Sequence, residues 1–378
     1  MAKADKFKIG IDARSISHRI CGVSRGTSCL IKALSGIDEE NEYIIYTDSI
    51  LPLIKLGSNF RVIPTYCSRK NPIHDIKFYS LLKNDKIELF HSMHSWLPRF
   101  IPKGIKIVVT IHDLFSFTDP DFFIKYKPFH KYFQLYFSYV TGWTLKKADA
   151  IVAVSNYCKK EIIKHFPETD GRVEVISNAL GIDGKVFTSK VKLINDDYFL
   201  YIGNCRSYKN TGVLIKGFHE FLKKDKHSGL KLVIAGNDAC EGIRVIISEL
   251  GISRNIVFLT NPTDQEIANL YAYALAVIMP SKFEGFGIPV LEAMTFGVPV
   301  IISDAEALIE VAGDAAAVFE RNKPEELALL MEKMIYENTF RKELIEKGYN
   351  RASKFTWESS ATELKNLYER ILNIIKTR

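Results

Sequence analysis

Tyr273-Ala274-Leu275-Ala276-Val277-Ile278-Met279-Pro280 runs straight into Ser281-Lys282-Phe283-Glu284-Gly285-Phe286-Gly287-Ile288-Pro289-Val290-Leu291-Glu292, and this join decides the fold. The first segment is a short apolar run stopped by a proline, the pattern of a buried strand. The second is a tight glycine loop followed by a helix start. Pro289 suits the first helical turn, where its missing N–H costs nothing, and Gly297 can close the helix in a left-handed cap. Gly285 and Gly287 let backbone approach a ligand closely, while the unbonded N–H groups of the helix start favour an anion. Glu284 falls at the loop lip and Glu292, eight positions on, inside the helix. A ligand carrying both phosphate and hydroxyls fits these features, with amides for the one and carboxylates for the other. The plainer alternative is a strand–loop–helix corner with a solvated glutamate on each side.

Outward from this corner the chain repeats the same grammar. Strands are predicted at Lys8–Asp12, Tyr43–Thr47, Arg61–Pro64, Leu89–His91, Ile105–Ile111, Ala150–Val154 and Val173–Ile176, alternating with helical or loop segments. A loop holding Gly22-Val23-Ser24-Arg25-Gly26 leads into a helix through Leu34. The composition turns polar between Thr188 and Asp197, where a linker is expected. A second alternation follows at Tyr198–Gly203, Lys231–Ala235, Ile256–Leu259, Ala274–Met279 and Val298–Ile302. Two such sets imply an α/β protein of two Rossmann-like domains facing across a cleft, with ligands at the carboxyl ends of the strands. From Thr356 to about Ile375 an amphipathic helix carries Leu364, Leu367, Ile371 and Ile374 on one face.

Composition narrows the function. At 378 residues, 47% hydrophobic and 25% charged, the chain is globular in character. It holds no run of eighteen apolar residues and no apolar leader after Met1, so a membrane span and secretion are not expected. Cys21, Cys29, Cys67, Cys158, Cys205 and Cys240 show no metal-binding spacing and read as reduced cytosolic thiols. Residues 1–190 hold 28 Lys and Arg against 19 Asp and Glu, a net +9, whereas the remainder holds 23 against 25, a net −2. A basic first half suits an anionic partner, a membrane surface or lipid phosphate rather than nucleic acid; a merely soluble basic surface is the other reading.

A second chemical segment opens the second alternation: Tyr201-Ile202-Gly203-Asn204-Cys205-Arg206-Ser207-Tyr208-Lys209-Asn210. Gly203 permits close approach, and Arg206 and Lys209 can neutralise a departing diphosphate. Two cations before a helix are commonly surface charge; their place at a strand end favours the functional reading.

Glu284-Gly285-Phe286-Gly287-Ile288-Pro289-Val290-Leu291-Glu292-Ala293-Met294, followed by Gly297-Val298-Pro299-Val300-Ile301, closely resembles the donor-site segment of the family 4 retaining glycosyltransferases of the GT-B fold. Further segments resemble that family in the same order, over nearly the whole length: Gly22-Val23-Ser24-Arg25, Thr110-Ile111-His112-Asp113-Leu114, Ala148–Tyr157, Val175–Ala179, the Tyr201–Asn210 stretch and Ile309–Ala315, where Ile309 replaces the usual proline. The resemblance implies a nucleotide sugar as donor and no metal or cofactor. By it Glu284, His112, Lys209 and Arg206 are the catalytic set. Arg206 occupies a variable position, which makes Lys209 the firmer of the two cations. Glu292, Gly285, Phe286, Gly287, Ile288 and Gly203 bind the donor, and Gly22 and Arg25 form an acceptor or phosphate loop. Asp113 and Ser155 are read as structural, and Asp304 and Glu310 either frame the nucleoside or are exposed acids. The implied division is residues 1–188 for the acceptor, 189–355 for the donor, and a helix 356–378 that returns to the first domain.

The expected activity is therefore retaining transfer of a hexose, mannose ahead of glucose or an aminosugar, to a glycan or lipid-linked acceptor in cell-surface polysaccharide assembly. The expected place is the cytoplasm, with peripheral contact at the inner face of the membrane through the basic first half. The alternatives are a sugar-nucleotide epimerase of similar fold and a non-catalytic nucleotide-sugar-binding subunit. Two features carry competing readings. Asp119-Pro120-Asp121 has the Asp-x-Asp form of metal-dependent transferases of another fold, but its proline favours a turn. Phe122–Phe133 interleaves rings and lysines, continuing to Trp143; it suits a membrane-surface helix and a core-covering helix equally.

Overall fold

A computed structural model describes residues 6–14, 16, 22–47, 55–65, 72–119, 123, 128–181, 191–224, 229–236 and 240–376. The chain divides into two compact units, one of residues 1–117, 123–179 and 356–378, the other of 118–122 and 180–355. The linker read between Thr188 and Asp197 lies partly outside the described residues, as do Pro120 and Asp121 of the Asp-x-Asp stretch.

The first unit is built on a seven-stranded parallel sheet: β1 (Lys8–Asp12), β2 (Glu42–Thr47), β3 (Phe60–Pro64), β4 (Leu89–Ser92), β5 (Lys106–Ile111), β6 (Ala150–Ala153) and β7 (Val173–Val175). Its order is β3-β2-β1-β4-β5-β6-β7. Ile9 pairs with both Tyr43 and Leu89, fixing the centre of the register. Helices α1 (Gly22–Ile37), α2 (Pro72–Asp85), α3 (Phe115–Thr118), α4 (His130–Lys147) and α5 (Asn156–His165) alternate with the strands. Central strands are covered on both faces, which is why β2 and β5 carry near-continuous apolar runs and even His91 and Ser92 of β4 are fully buried.

The second unit holds a six-stranded parallel sheet: β8 (Tyr198–Ile202), β9 (Lys231–Gly236), β10 (Ile256–Thr260), β11 (Ala276–Met279), β12 (Val300–Ser303) and β13 (Ala316–Phe319). The order is β10-β9-β8-β11-β12-β13. Its helices are α6 (Thr211–Leu222), α7 (Glu241–Glu249), α8 (Asp264–Tyr273), α9 (Ile288–Thr295), α10 (Glu306–Ala312), α11 (Pro324–Tyr336) and α12 (Asn338–Ala352). The last helix, α13 (Trp357–Lys376), belongs to the first unit, packs on α1, and buries Leu364, Leu367, Tyr368 and Ile371 in that unit's core. His91 on β4 holds it through polar contacts as well: one ring nitrogen meets the Tyr368 hydroxyl at 2.5 Å and the other that of Thr110 at 2.8 Å.

In both sheets the order reverses once, between β1 and β4 and between β8 and β11. Connections leave these neighbours in opposite directions, so each sheet keeps a crevice at the carboxyl ends of that pair.

Several sequence expectations change. Gly22–Gly26 is the first turn of α1 and not a loop. Tyr273 closes α8, whose start is fixed by a reciprocal capping box between Thr263 and Glu266, so the strand begins at Ala276. The edge strand β13 has no counterpart in the reading; it is a four-residue apolar run led by alanines, which favour helix over strand. The cysteines are not all reduced: Cys205 and Cys240 form a disulfide, with Cα atoms 5.2 Å apart across the ends of the paired strands β8 and β9. Their 35-residue separation hid this in the sequence. Cys29 and Cys158 are thiols, and Cys21 and Cys67 lie outside the described residues.

Candidate active site

The reversal point of the second unit brings the two chemical segments together. From β8 the chain passes Gly203 and enters a 3-10 turn at Ser207–Lys209; from β11 it passes Pro280 into the glycine loop before α9. Close approach at the strand ends depends on Gly236, since a Cβ there would stand 2.0 Å from the Gly203 carbonyl oxygen. The Lys282 N–H donates to the Tyr208 carbonyl at 2.7 Å, tying one loop to the other.

Across this tie the Lys209 ammonium meets Glu284 Oε1 at 2.6 Å, and Ser281 Oγ donates to the same oxygen at 2.6 Å. Glu284 is only 7% exposed, so its charge is compensated by a cation and a hydroxyl rather than by water. Gly287 caps α9 with φ of +114°, a conformation that needs glycine, and Pro289 follows in the first turn. Phe286 and Ile288 are buried, Phe286 edge-on to Phe355, so what they can offer a ligand is backbone N–H. Glu292 is buried in α9 and accepts from the Tyr271 hydroxyl at 2.7 Å; the Tyr271 ring stacks on Phe296. Arg206 is exposed, just ahead of the 3-10 turn.

Three contributors went unread in the sequence. Arg321 bonds Asp304 Oδ1 through Nε at 2.6 Å, the Lys282 carbonyl through Nη1 at 2.6 Å, and the Asp304 carbonyl through Nη2 at 2.8 Å. Its own carbonyl accepts from Asn210 at 2.7 Å, so one arginine braces both loops. Asp304 thus anchors Arg321 instead of standing as an exposed acid. Tyr271 and Ser281, which orient the two glutamates, are the other two. Arg321 and Tyr271 act on partners distant in sequence and carry no local signal, whereas Ser281 lies three residues from Glu284 in a loop where a serine is too common to stand out. Asp119 also joins this unit, accepting from Ser207 Oγ at 2.9 Å.

The first unit carries the remaining candidates. His112 follows β5 and donates from Nε2 to the Met93 carbonyl at 3.0 Å, which leaves Nδ1 as an acceptor on a neutral ring. Burial pushes its pKa down to about 4. It lines a narrow slot with Gly26, Thr27 and Asn178. Arg25 is half-buried in the first turn of α1; a Cβ at Gly22 would meet nothing within 4 Å, so close packing does not explain that glycine. Asp113 accepts from the Phe115 N–H at the start of α3, and Ser155 caps α5 through the Cys158 N–H. Among the described residues no group of three or more His, Cys, Asp or Glu side chains is placed to hold a metal ion.

Residues 186–351 match the family described as Glycosyl transferases group 1, and residues 21–183 match Glycosyltransferase Family 4. The chain belongs to the group 1, family 4 glycosyltransferases. This glycosyltransferase is 28% identical over 298 residues to the O-antigen chain mannosyltransferase B of Escherichia coli, a match covering 76% of each chain. It is 29% identical over 212 residues to the O-antigen chain mannosyltransferase RfbU of Salmonella typhimurium, covering 55% of each. Among solved structures, Anabaena HepE in complex with UDP-glucose superposes with a TM-score of 0.73 at 16% identity, over 96% of this chain and 99% of the other. The fold is that of the GT-B glycosyltransferases. Among the described residues no helix is long and apolar enough to cross a membrane.

Proposed function

We propose that this glycosyltransferase moves mannose from a nucleoside-diphosphate sugar, GDP-mannose first, to a glycan acceptor in surface-polysaccharide assembly, with retention of configuration and without a metal. The observation carrying the reading is the Lys209–Glu284 pair, set beside the glycine loop and the start of α9. The donor's diphosphate lies against the Lys209 loop and the amides of Gly287 and Ile288. Glu284 accepts from sugar hydroxyls and Glu292 from the ribose. Both mannosyltransferase relatives favour mannose, and the UDP-glucose complex of the structural neighbour supports a nucleotide sugar in this fold.

In the step itself the bond from the sugar C1 to the diphosphate oxygen breaks and an acceptor hydroxyl oxygen bonds C1 on the same face. The hydroxyl proton passes to the departing phosphate oxygen. Lys209 and Arg206 stabilise the charge that develops on the diphosphate. His112, neutral through the physiological range, serves as a hydrogen-bond acceptor for a substrate hydroxyl. Glu284 already shares Oε1 with Lys209 and Ser281, which suits a positioning carboxylate better than the nucleophile of a double displacement.

A thermal-shift panel of GDP-mannose, UDP-glucose and UDP-N-acetylglucosamine, run without metal on the parent and on Glu292→Gln, tests the donor. Ligand bound to the folded state raises the melting point by mass action. GDP-mannose should stabilise the parent and lose most of that shift in the variant. If no nucleotide sugar shifts the parent, the reading fails and a non-catalytic role moves forward. Consumption of donor with release of an epimer, in the absence of acceptor, would instead identify an epimerase.

A further inference from the structure

Arg321 stands just past β13, the edge strand of the second sheet, yet its bonds reach across the end of that sheet. Asn210 comes after β8, Lys282 after β11 and Asp304 after β12, and Arg321 meets all of them. Asp304 sets its orientation: the Arg321 N–H and Nε both donate to Asp304 Oδ1, at 3.0 and 2.6 Å, which fixes the plane of the guanidinium. Nη1 and Nη2 are thereby aimed at the Lys282 and Asp304 carbonyls. A lysine could meet one of these acceptors; the planar fork meets several at once.

These contacts bear on the Lys209–Glu284 pair from both sides. On the Glu284 side the loop is tied at successive groups. The Ser281 carbonyl accepts from Ser303 Oγ at 2.5 Å, the Lys282 N–H donates to the Tyr208 carbonyl at 2.7 Å, and the Lys282 carbonyl accepts from Arg321 Nη1 at 2.6 Å. On the Lys209 side, Asn210 has a φ of +55°, a left-handed conformation uncommon outside glycine. Its side chain makes no cap bond to α6 and donates instead to the Arg321 carbonyl at 2.7 Å. Arg321 thus grips the residue after Lys209 with its carbonyl and the residue two before Glu284 with its guanidinium. Catalytic groups misplaced by about an ångström can cost on the order of 10²-fold in rate, so a brace at this point has a chemical consequence.

We infer that Arg321, oriented by Asp304, is a positioning residue: it holds Lys209 and Glu284 in the geometry that meets the donor, without touching substrate itself. The inference rests on the proposed function for what the pair meets, and on these bonds alone for the positioning.

Lysine acylation and donor binding test it on the full chain. Without donor, the protein is treated with an N-hydroxysuccinimide ester of acetate and each lysine is followed by peptide mass spectrometry. Arg321→Met should speed labelling of Lys209 by about five-fold or more, the scale of losing coupled contacts. Arg321→Lys should do so less. Asp304→Ala, which keeps the arginine but removes the carboxylate that orients it, should act in the same direction. Lys231, which opens β9 and donates to the Arg254 carbonyl, should label as in the parent. Circular dichroism confirms folding, and Asp304→Ala carries the test if Arg321→Met does not fold. Unchanged Lys209 labelling in the folded variants overturns the inference, as does an equal rise at Lys231, the mark of general loosening.

Calorimetric titration of GDP-mannose then compares the parent, Lys209→Ala, Arg321→Met and the double variant. Arg321→Met should weaken binding in the parent background and weaken it less when Lys209 is already gone, because part of what it positions is missing. Losses that multiply in full, or no loss at all, overturn the positioning role. If the parent binds no GDP-mannose while Lys209 labelling responds as expected, the donor reading fails and the brace on the pair stands.

Discussion

The two reversal points of this molecule occupy equivalent places in their sheets and differ in how they are made. In the second unit the candidate ligand-facing groups come from two contiguous segments, Gly203–Asn210 and Ser281–Glu292, while Arg321, Asp304 and Tyr271 brace them from elsewhere in the chain. In the first unit a cavity at the corresponding place is lined by Arg14 past β1, the segment Trp96–Arg99 past β4, Asp75 of α2 and one face of α4. A diphosphate is held by consecutive backbone amides and nearby cations, so its site must be local in sequence. A cavity walled by side chains needs no such run, and its lining can be gathered from separate elements.

The sharpest way to break this comparison is at Lys209. Lys209→Ala removes the cation proposed to face the departing diphosphate and leaves the buried Glu284 with the Ser281 hydroxyl as its remaining hydrogen-bond partner. Transfer should fall by roughly 10²–10³-fold or more, the scale of losing one oriented stabiliser of developing charge. Lys209→Arg keeps the charge and should recover part of the rate. Activity within a few-fold of the parent in Lys209→Ala would mean that the leaving group is stabilised elsewhere.

The disulfide bears on the same unit. Cys205 lies inside the Gly203–Asn210 loop, so its bond to Cys240 anchors that loop to the start of α7. Closing a loop of this length contributes typically about 2–4 kcal/mol. Cys240→Ser, or reduction with dithiothreitol, should lower the melting point by roughly 5–15 °C for a unit of this size. It should also raise the donor concentration needed for half-maximal thermal shift. An unchanged melting point on reduction would show that the pair is not closed in solution, as the cysteine spacing first suggested.

Acid should expose a difference in the opposite direction. His91 and His112 both belong to the first unit, and burial pushes their pKa values down to about 3 and about 4. An unfolded histidine titrates near 6.5, so between that value and the folded pKa the unfolded chain binds more protons and stability rises with pH. Going from pH 7 to pH 5, each histidine should cost about 1–2 kcal/mol of stability. Melting curves against pH, on the parent and on His112→Asn, check this: the variant should show the shallower acid slope. Equal slopes would mean that His112 is accessible to protons in the folded state. The pH profile of transfer should show no inflection near 6.5 attributable to His112.

These contrasts also explain what could be read in advance. The α/β class, twelve of the strands and the returning helix were legible because parallel strands leave short runs rich in β-branched and aromatic residues and an amphipathic helix keeps its period. β13 was not, since its alanine-led run reads as helix as readily as strand. Glu284, Glu292 and Lys209 could be picked out from local grammar, but the sequence could not show that the first and last would pair, or that Ser281 would share the same oxygen. Arg321 was invisible for a physical reason: its partners are Asp304, the backbone at Lys282 and Asn210, and such braces depend on three-dimensional neighbours. The exposed rings of α4 were legible only as rings; what they enclose is set by Trp96 and Asp75, which lie more than thirty residues upstream.

The smallest predicted effect separates two ways in which α13 completes the first unit. Its apolar face buries Leu364, Leu367 and Ile371, while Tyr368 meets His91, whose other nitrogen meets Thr110. Tyr368→Phe keeps the ring in the core and deletes one hydroxyl, leaving a buried imidazole nitrogen without that partner. The cost should be about 1–3 kcal/mol, the desolvation penalty of an unsatisfied buried group. Leu367→Ala should cost more, about 2–5 kcal/mol, through lost transfer energy and a cavity. Chemical denaturation of both variants measures the two directly. If Tyr368→Phe proves as costly as Leu367→Ala, the polar contact and not the apolar face is what chiefly holds the end of the chain to the unit that contains its beginning. Near-zero cost would mean that His91 finds another partner once the hydroxyl is gone, and that apolar burial alone accounts for the return of α13.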